Sequence, residues 1–391
     1  MFDIKPTEPA MPSRRGVLKL IGGGVVIAAA GAGAFTALNQ PSHAARAAWR
    51  EAGQPEEYRR RFLSYALLAP NPHNMQPWLA RLEGEDSLTL YCDLDRRLPE
   101  TDPFDRQIIL GHGCFLELLA LAAAAEGCAV EIEPFPEGAP DMTARLDARA
   151  VARVTFRAGA ASSDALFAYA LTRRTNRNAY DARDISADHL AALAAAGTAE
   201  GITAHTTGDG DLAARLRDLT WRAHEIEVRT PATWMESVDV MRIGPSEVAR
   251  HRDGLSMEGP MLSALNIAGI LTRDALADPD SQAFQQGLDM FRPLAASARA
   301  FAWLTNDGQS RGGEIAAGRA YMRLALQAEA LGLAVHPWSQ SLQEYPEMAA
   351  LYEEVHSLIG GGQRLQMLVR VGYAKPVPAA PRRGLDALLQ S

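Results

Sequence analysis

The sequence predicts an α+β fold made of two similar halves in one chain. Helix-type and strand-type periodicities are mixed, without the strand–helix–strand alternation of a parallel nucleotide-binding sheet, and no glycine-rich phosphate loop occurs. A long apolar helix that turns through glycine into a strand appears twice. With 391 residues, 47% hydrophobic content and a net charge of −8, the chain can fill one large core or two modest ones. The acidic balance excludes the basic footprint that nucleic acid requires.

The N-terminus predicts a targeting segment over 1–44. Ser13-Arg14-Arg15-Gly16-Val17-Leu18-Lys19 precedes an apolar run from Leu20 to Leu38, and small residues flank Ser42-His43-Ala44, as a signal peptidase requires. This is the pattern of a twin-arginine export signal, so the export machinery is an expected partner and the expected location is periplasmic or otherwise exported. An uncleaved membrane anchor is the other reading, weakened by five glycines within the run.

After the signal, Glu56–Ala69 reads as a helix with Phe62, Ala66 and Ala69 at helical spacing, stopped by Pro70. Leu88–Cys92 reads as a strand, Asp105–Glu126 as a largely apolar helix, and Ala129–Ile132 and Val151–Phe156 as further strands. The echo sets Gly111–Val130 against Ala316–Val335, so that Gly127, Ala129 and Val130 fall opposite Gly332, Ala334 and Val335. Chance similarity of Ala-rich helices is the alternative; a true repeat makes 50–160 and 161–391 a fused pair. Residues 228–295 break the pattern, combining Trp234, Met235, Met241, Met257, Met261 and Met290 with Gly-Pro and Asp-Gly turns. They suit an adaptable cover over a site or a loop-rich core segment.

Two stretches carry candidate chemistry. Arg173-Arg174-Thr175-Asn176-Arg177 encloses a hydroxyl among guanidinium groups, which meet a phosphate with planar, permanently charged donors. Alone, such a cluster also suits a solvated face. Pro70-Asn71-Pro72-His73-Asn74-Met75-Gln76-Pro77-Trp78 marks a turn whose amides could flank a flat polar ring. Cys92, Cys114 and Cys128 are widely spaced and read as small hydrophobes, and His73, His112 and His336 lack metal-ligand spacing.

Together these stretches resemble the nitroreductase superfamily of flavin mononucleotide (FMN) proteins. Arg173, Thr175 and Arg177 fit its Arg-x-Ser-x-Arg/Lys phosphate motif with Thr for Ser. Pro70, Asn71, Asn74, Gln76, Pro77 and Trp78 fit its Pro-Ser-x-x-Asn-x-Gln-Pro-Trp loop with Asn71 for Ser. Val369-Arg370-Val371-Gly372-Tyr373 and Ala380-Pro381-Arg382-Arg383-Gly384 resemble the Acg-like branch more closely, and the likeness spans about residues 50 to 391.

The resemblance implies a three-layer α-β-α fold with a mixed, mainly antiparallel sheet, an intrachain pseudo-dimer, and FMN as cofactor. It implies cofactor contacts from Arg173, Arg174, Thr175 and Arg177, from Asn71, Asn74 and Gln76, and from Pro337, Trp338 and Ser339 near the reactive ring edge. Arg382 and Arg383 are implied as a second basic contact. One FMN per monomeric chain is expected, because Arg59-Arg60-Arg61 has no spaced Ser or Thr and no second Asn-x-Gln-Pro-Trp follows Arg177. The implied activity is oxidoreduction of a planar acceptor, a nitroaromatic or quinone, with NAD(P)H as the usual electron source. Export leaves that donor open. A non-catalytic flavin-sequestering protein, closed over by 228–295, is the alternative.

Overall fold

The computed structural model describes residues 35–36, 39–159, 161–208 and 210–390. The twin-arginine pair and most of the apolar run over 1–44 lie outside the described residues.

Two short helices open the described fold, α1 (Ala47–Glu51) and α2 (Tyr58–Ala66). Glu57 caps α2 by accepting a bond from the Arg60 N–H. The expected helix over 56–69 is shorter than its apolar spacing suggests, because residues 67–69 leave through turns ahead of Pro70. Next come a hairpin of β1 (Trp78–Glu83) and β2 (Ser87–Cys92), the central helix α3 (Arg106–Ala125), β3 (Cys128–Pro134) and β4 (Ala152–Ala158). These strands form one sheet in the order β1-β2-β4-β3, with antiparallel neighbours throughout.

The second half starts with α4 (Ala187–Gly197) and β5 (Thr203–Thr207). Then follow α5 (Gly210–Arg229), α6 (Pro231–Asp239), β6 (Met241–Ile243), α7 (Pro245–His251), β7 (Leu255–Met257), α8 (Pro260–Ile267), α9 (Arg273–Ala277) and α10 (Gln282–Ala296). The chain returns through β8 (Ala300–Asn306), the second central helix α11 (Arg311–Ala330), β9 (Ala334–Pro337), α12 (Ala349–Ile359) and β10 (Arg364–Gly372). The sheet order is β5-β8-β10-β9, again antiparallel.

The two halves thus repeat one topology. In each, the second strand leads into a long helix, the helix turns through a left-handed glycine (Gly127, φ +75°; Gly332, φ +66°) into an edge strand, and the last strand inserts between. Each sheet also takes one parallel bridge at an edge, Leu389 beside Ala80 and Thr175 beside Val335. The sheets are therefore mixed but mainly antiparallel. What separates the halves is the connection between their first two strands, a turn at Gly84 in one and residues 208–299 in the other.

The central helices cross at paired glycines. A Cβ on Gly113 would lie 2.8 Å from the Gly318 Cα and 2.2 Å from the Ile315 carbonyl oxygen; one on Gly318 would lie 2.1 Å from the Leu110 carbonyl oxygen. No side chain fits there, so the backbones touch and one hydrophobic core runs through both halves. The first residue of each helix reaches into the opposite half. Arg106 donates to the carbonyls of Leu342 and Gln366, and Arg311 to those of Asp141, Met142 and Ala144. Of the described helices only α3 is long and apolar enough to cross a membrane, and 83% of that window is buried in this core.

Candidate functional site

A cavity of about 550 Å³ opens where the halves meet. Its walls are the Pro70–Asn74 loop, α3 at Leu110 and Cys114, the Arg173–Asn178 segment, the end of β9 at His336–Gln340, the tail at Val377–Ala380, and a roof from the insertion.

The arginine-lined end forms where the chain, after leaving the first sheet, runs along the outer edge of β9. There Thr175 bridges Val335, and the Asn176 N–H donates to the Val335 carbonyl at 2.9 Å. This registry holds Arg173, Thr175 and Arg177 at the cavity. Arg173 is 3% exposed and its Nη1 has no partner, while Nη2 reaches only the Leu68 carbonyl at 3.5 Å. No ion pair among the described residues neutralises Arg173, Arg174, Arg177 or Arg382. Arg177 is open to the cavity but enclosed by protein, and burial lowers its pKa. Burial, with Arg173 nearby, lowers Arg174 to about 10; burial, with Arg173, Arg174 and Arg177 nearby, lowers Arg382 to about 9. Four guanidinium groups without a counter-charge form a site complementary to a multiply charged anion.

The Asn71 loop is rigid and strained. His73, Asn74 and Gln76 take φ of 46°, 55° and 53°, a left-handed region that costs non-glycine residues energy. Side-chain bonds hold it there. The Gln76 N–H donates to Asn71 Oδ1 at 2.7 Å, Asn71 Nδ2 to the Ala69 carbonyl at 3.2 Å, and Arg382 Nη1 to Asn74 Oδ1. Asn71 and Asn74 line the cavity.

Two of the expected contacts, Gln76 and Arg383, lie away from the cavity lining. Gln76 does not line the cavity: it is 1% exposed and spends its amide on Asn74, Arg252 and the Arg383 N–H. Arg383 turns away toward Asp93 and the Ala387 carbonyl. Arg382 lines the cavity beside the other arginines, and its donors also hold the carbonyls of Leu67, Leu68 and Ala69 in the turns that follow α2. All three position the loop. Arg174 lines the cavity with its guanidinium stacked on Trp49 at 4.3 Å, and bonds back to the carbonyls of Leu171 and Arg173.

At the other end, Pro337, Trp338 and Ser339 line the cavity as β9 ends. The Trp338 N–H is taken by the Leu368 carbonyl at 3.0 Å, which leaves the Ser339 N–H without a partner among the described residues. Arg370, wholly buried between Tyr180 at 4.2 Å and Trp338 at 4.9 Å, donates to His336 Nδ1 at 3.1 Å and so puts the ring proton on Nε2. Its other donors meet the carbonyls of Leu294 and Asn178.

The insertion supplies the roof and is tied to the loop. The Gly254 N–H donates to the Asn74 carbonyl at 3.2 Å, Arg96 joins Asp253 at 2.6 Å, and His73 Nε2 lies 2.9 Å from Ser237 Oγ. Residues on either side of the expected signal's end also reach it, Ser42 through its N–H and Arg46 through its guanidinium, both to Glu258. Burial, with Arg177 nearby, lowers His73 to about 4, and burial alone lowers His224 to about 4. Burial raises Glu227 to about 7. Sequence patterns did not mark these three residues or Arg370 as site residues. The three cysteines are buried free thiols, and no metal-holding cluster occurs among the described residues.

Fold and site together define an α+β protein of duplicated topology with an arginine-ended cavity between its halves. No family model matches the chain. It is 28% identical over 348 residues to a putative NAD(P)H nitroreductase of Mycobacterium tuberculosis, covering 85% of this chain and 90% of the relative. A second M. tuberculosis protein, the putative NAD(P)H nitroreductase acg, is 42% identical over 72 residues, covering 18% of this chain and 21% of that protein. Among solved structures, a putative nitroreductase from Anabaena variabilis aligns over 79% of this chain and 82% of its own at 12% identity, with a TM-score of 0.38. The FMN-dependent nitroreductase NfnB of Mycobacterium smegmatis aligns over 56% and 94% at 19% identity, with a TM-score of 0.34.

Proposed function

We propose that this chain is an exported FMN-dependent oxidoreductase of the nitroreductase type, binding one flavin in the cavity between its halves and reducing a planar acceptor such as a quinone or nitroaromatic. The observation that carries the proposal is the uncompensated Arg173–Thr175–Arg177 cluster at one end of a cavity lined elsewhere by aromatic and apolar groups together with polar side chains such as Asn71 and Asn74. The orphaned Arg173 Nη1 and the free Thr175 hydroxyl suit a terminal phosphate. Asn71 and Asn74, locked by Gln76 and Arg382, would flank the ring system, and the free Ser339 N–H would donate to its edge. Bound there, the flavin would supply hydride or electron transfer.

The residues bind, orient and exclude water. Uncompensated cations are destabilising alone and become favourable once an anion arrives, so the cluster should order with its ligand. The curated relatives' names support a nicotinamide donor. Ser13–Lys19 and the apolar run after it support export, with an uncleaved anchor as the second outcome.

An absorption spectrum of the purified protein tests the cofactor: a flavin band near the blue is expected, and a colourless folded protein rejects it. Dithionite-reduced protein mixed with a quinone should reoxidise within seconds. A flavin that stays reduced would favour sequestration over turnover.

A further inference from the structure

The insertion brings to the cavity a polar pair that the proposed flavin contacts do not use. His224 and Glu227 lie one turn apart on α5 and both line the cavity. His224 is 7% exposed, yet neither ring nitrogen has a partner, and Phe291 at 4.5 Å, Trp221 at 5.9 Å and Trp338 at 6.2 Å surround the ring. Buried imidazoles ordinarily have both positions satisfied, so a neutral N–H donor and a lone pair stand vacant here. The Glu227 carboxyl receives a long bond from Gln343 Nε2, 3.4 Å, and a weaker contact from the Gln340 amide. The groups facing it are Glu236 on α6, Tyr345 from the turn before α12, and the amides of Gln340 and Gln343, with neutral His224 one turn away on its own helix. None is a cation. Burial first, with Glu236 adding to it, raises the carboxyl to about 7, so that it is protonated below neutrality and ionises above it, while burial keeps His224 neutral.

We propose that His224 and Glu227 are the recognition edge for the second substrate, an uncharged planar aromatic whose carbonyl or nitro oxygen accepts bonds from the imidazole N–H and the carboxyl O–H. The aromatic body would rest among Phe284, Phe291 and Trp338, which also line the cavity. This deepens the flavin reading and rests on it. It assigns the insertion a selective role: a neutral quinone is accepted, and the edge turns repulsive toward oxygen once Glu227 ionises.

The test is a titration of the purified, oxidised protein with 1,4-naphthoquinone, without electron donor, following tryptophan fluorescence between pH 6 and 8.5. Wild-type Kd should rise roughly tenfold across that range, the scale of one lost hydrogen bond in a dry site. Glu227→Gln should bind like wild type at pH 6 and lose the pH dependence. His224→Phe should weaken binding about tenfold at every pH, and His224→Gln, which keeps a donor, should recover most of it. Wild-type affinity and pH profile in both Glu227→Gln and His224→Phe would overturn the proposal. If His224→Phe does not fold, the pH profile of Glu227→Gln decides alone. Flavin content separates the two readings. Yellow protein whose quinone binding ignores these residues sinks this inference only; colourless protein whose binding depends on them sinks the flavin reading.

Discussion

The two halves share strand order and helix placement, yet among the described residues the unpaired arginines gather at one junction between them. Three connections account for the difference. The loop between α2 and β1 carries Asn71 and Asn74, whereas its counterpart between α4 and β5 is a short turn over residues 198–202. The outer edge of β9 receives Thr175 and its arginines, whereas the equivalent edge of β3 carries solvated Glu131 and Glu133. The first two strands join at Gly84 in one half and through the whole roof in the other. Regular structure is thus a common platform here, and the connections specialise it.

The sheets differ in the same direction. Along β4 buried Val154 and Phe156 alternate with outward Arg153 and Arg157, so one face meets water; β8 is buried at every residue. Its Ala302 and Leu304 face the shared core, while Phe301 and Trp303 pack under α5 and α12.

Of the arginines on the equivalent strands β10 and β4, replacing Arg370 should have the largest effect and replacing Arg157 the smallest. Arg370→Ala strands His336 and two carbonyls in the interior and should cost about 3 kcal/mol or more, read as a shifted denaturation midpoint. Glu227→Gln should come next, with a sign set by pH. The carboxyl is raised from 4.5 to about 7 in the fold, so its protonated form stabilises fully below 4.5 and that stabilisation is lost as pH rises through 7. An amide does not titrate. The variant should therefore gain up to about 3 kcal/mol on wild type between pH 4 and 8, measured by paired melts.

Arg173→Ala should weaken FMN binding by about 1.5–3 kcal/mol, seen as flavin lost on dialysis. Gly318→Ala should cost about 1–3 kcal/mol through overpacking against Leu110 and Gly113, and both halves should melt in one transition. Arg157→Ala, on the solvated face, should leave the midpoint unmoved.

Much of this was legible in the sequence, and the misses share a cause. The helix expected over Asp105–Glu126 is observed at Arg106–Ala125, because a long apolar run bounded by glycine admits little else. The echo at Gly127 and Gly332 found the duplicated topology from backbone needs alone. The arginine motif was visible because charge and hydroxyl sit close in sequence. Gln76 and Arg383 were also recognised, but a motif cannot tell a side chain that touches a ligand from one that holds the loop; that depends on groups far off in sequence, such as the Arg252 carbonyl of the insertion and the Asp93 carboxylate. His224 and Glu227 sit on a polar, amphipathic helix, where their spacing looks like an ordinary wet face. Only the tertiary fold shows that α10 and Trp338 cover it.

The crosswise tethers of Arg106 and Arg311 have an evolutionary corollary. Because each lobe's backbone oxygens are satisfied by the other's guanidinium, neither lobe could be excised as a working unit. Because both lobes are encoded once, however, a substitution strikes one side alone. A symmetric pair of identical subunits would alter both of its clefts with every change, whereas in this polypeptide a change within residues 208–299 touches only the cleft they roof.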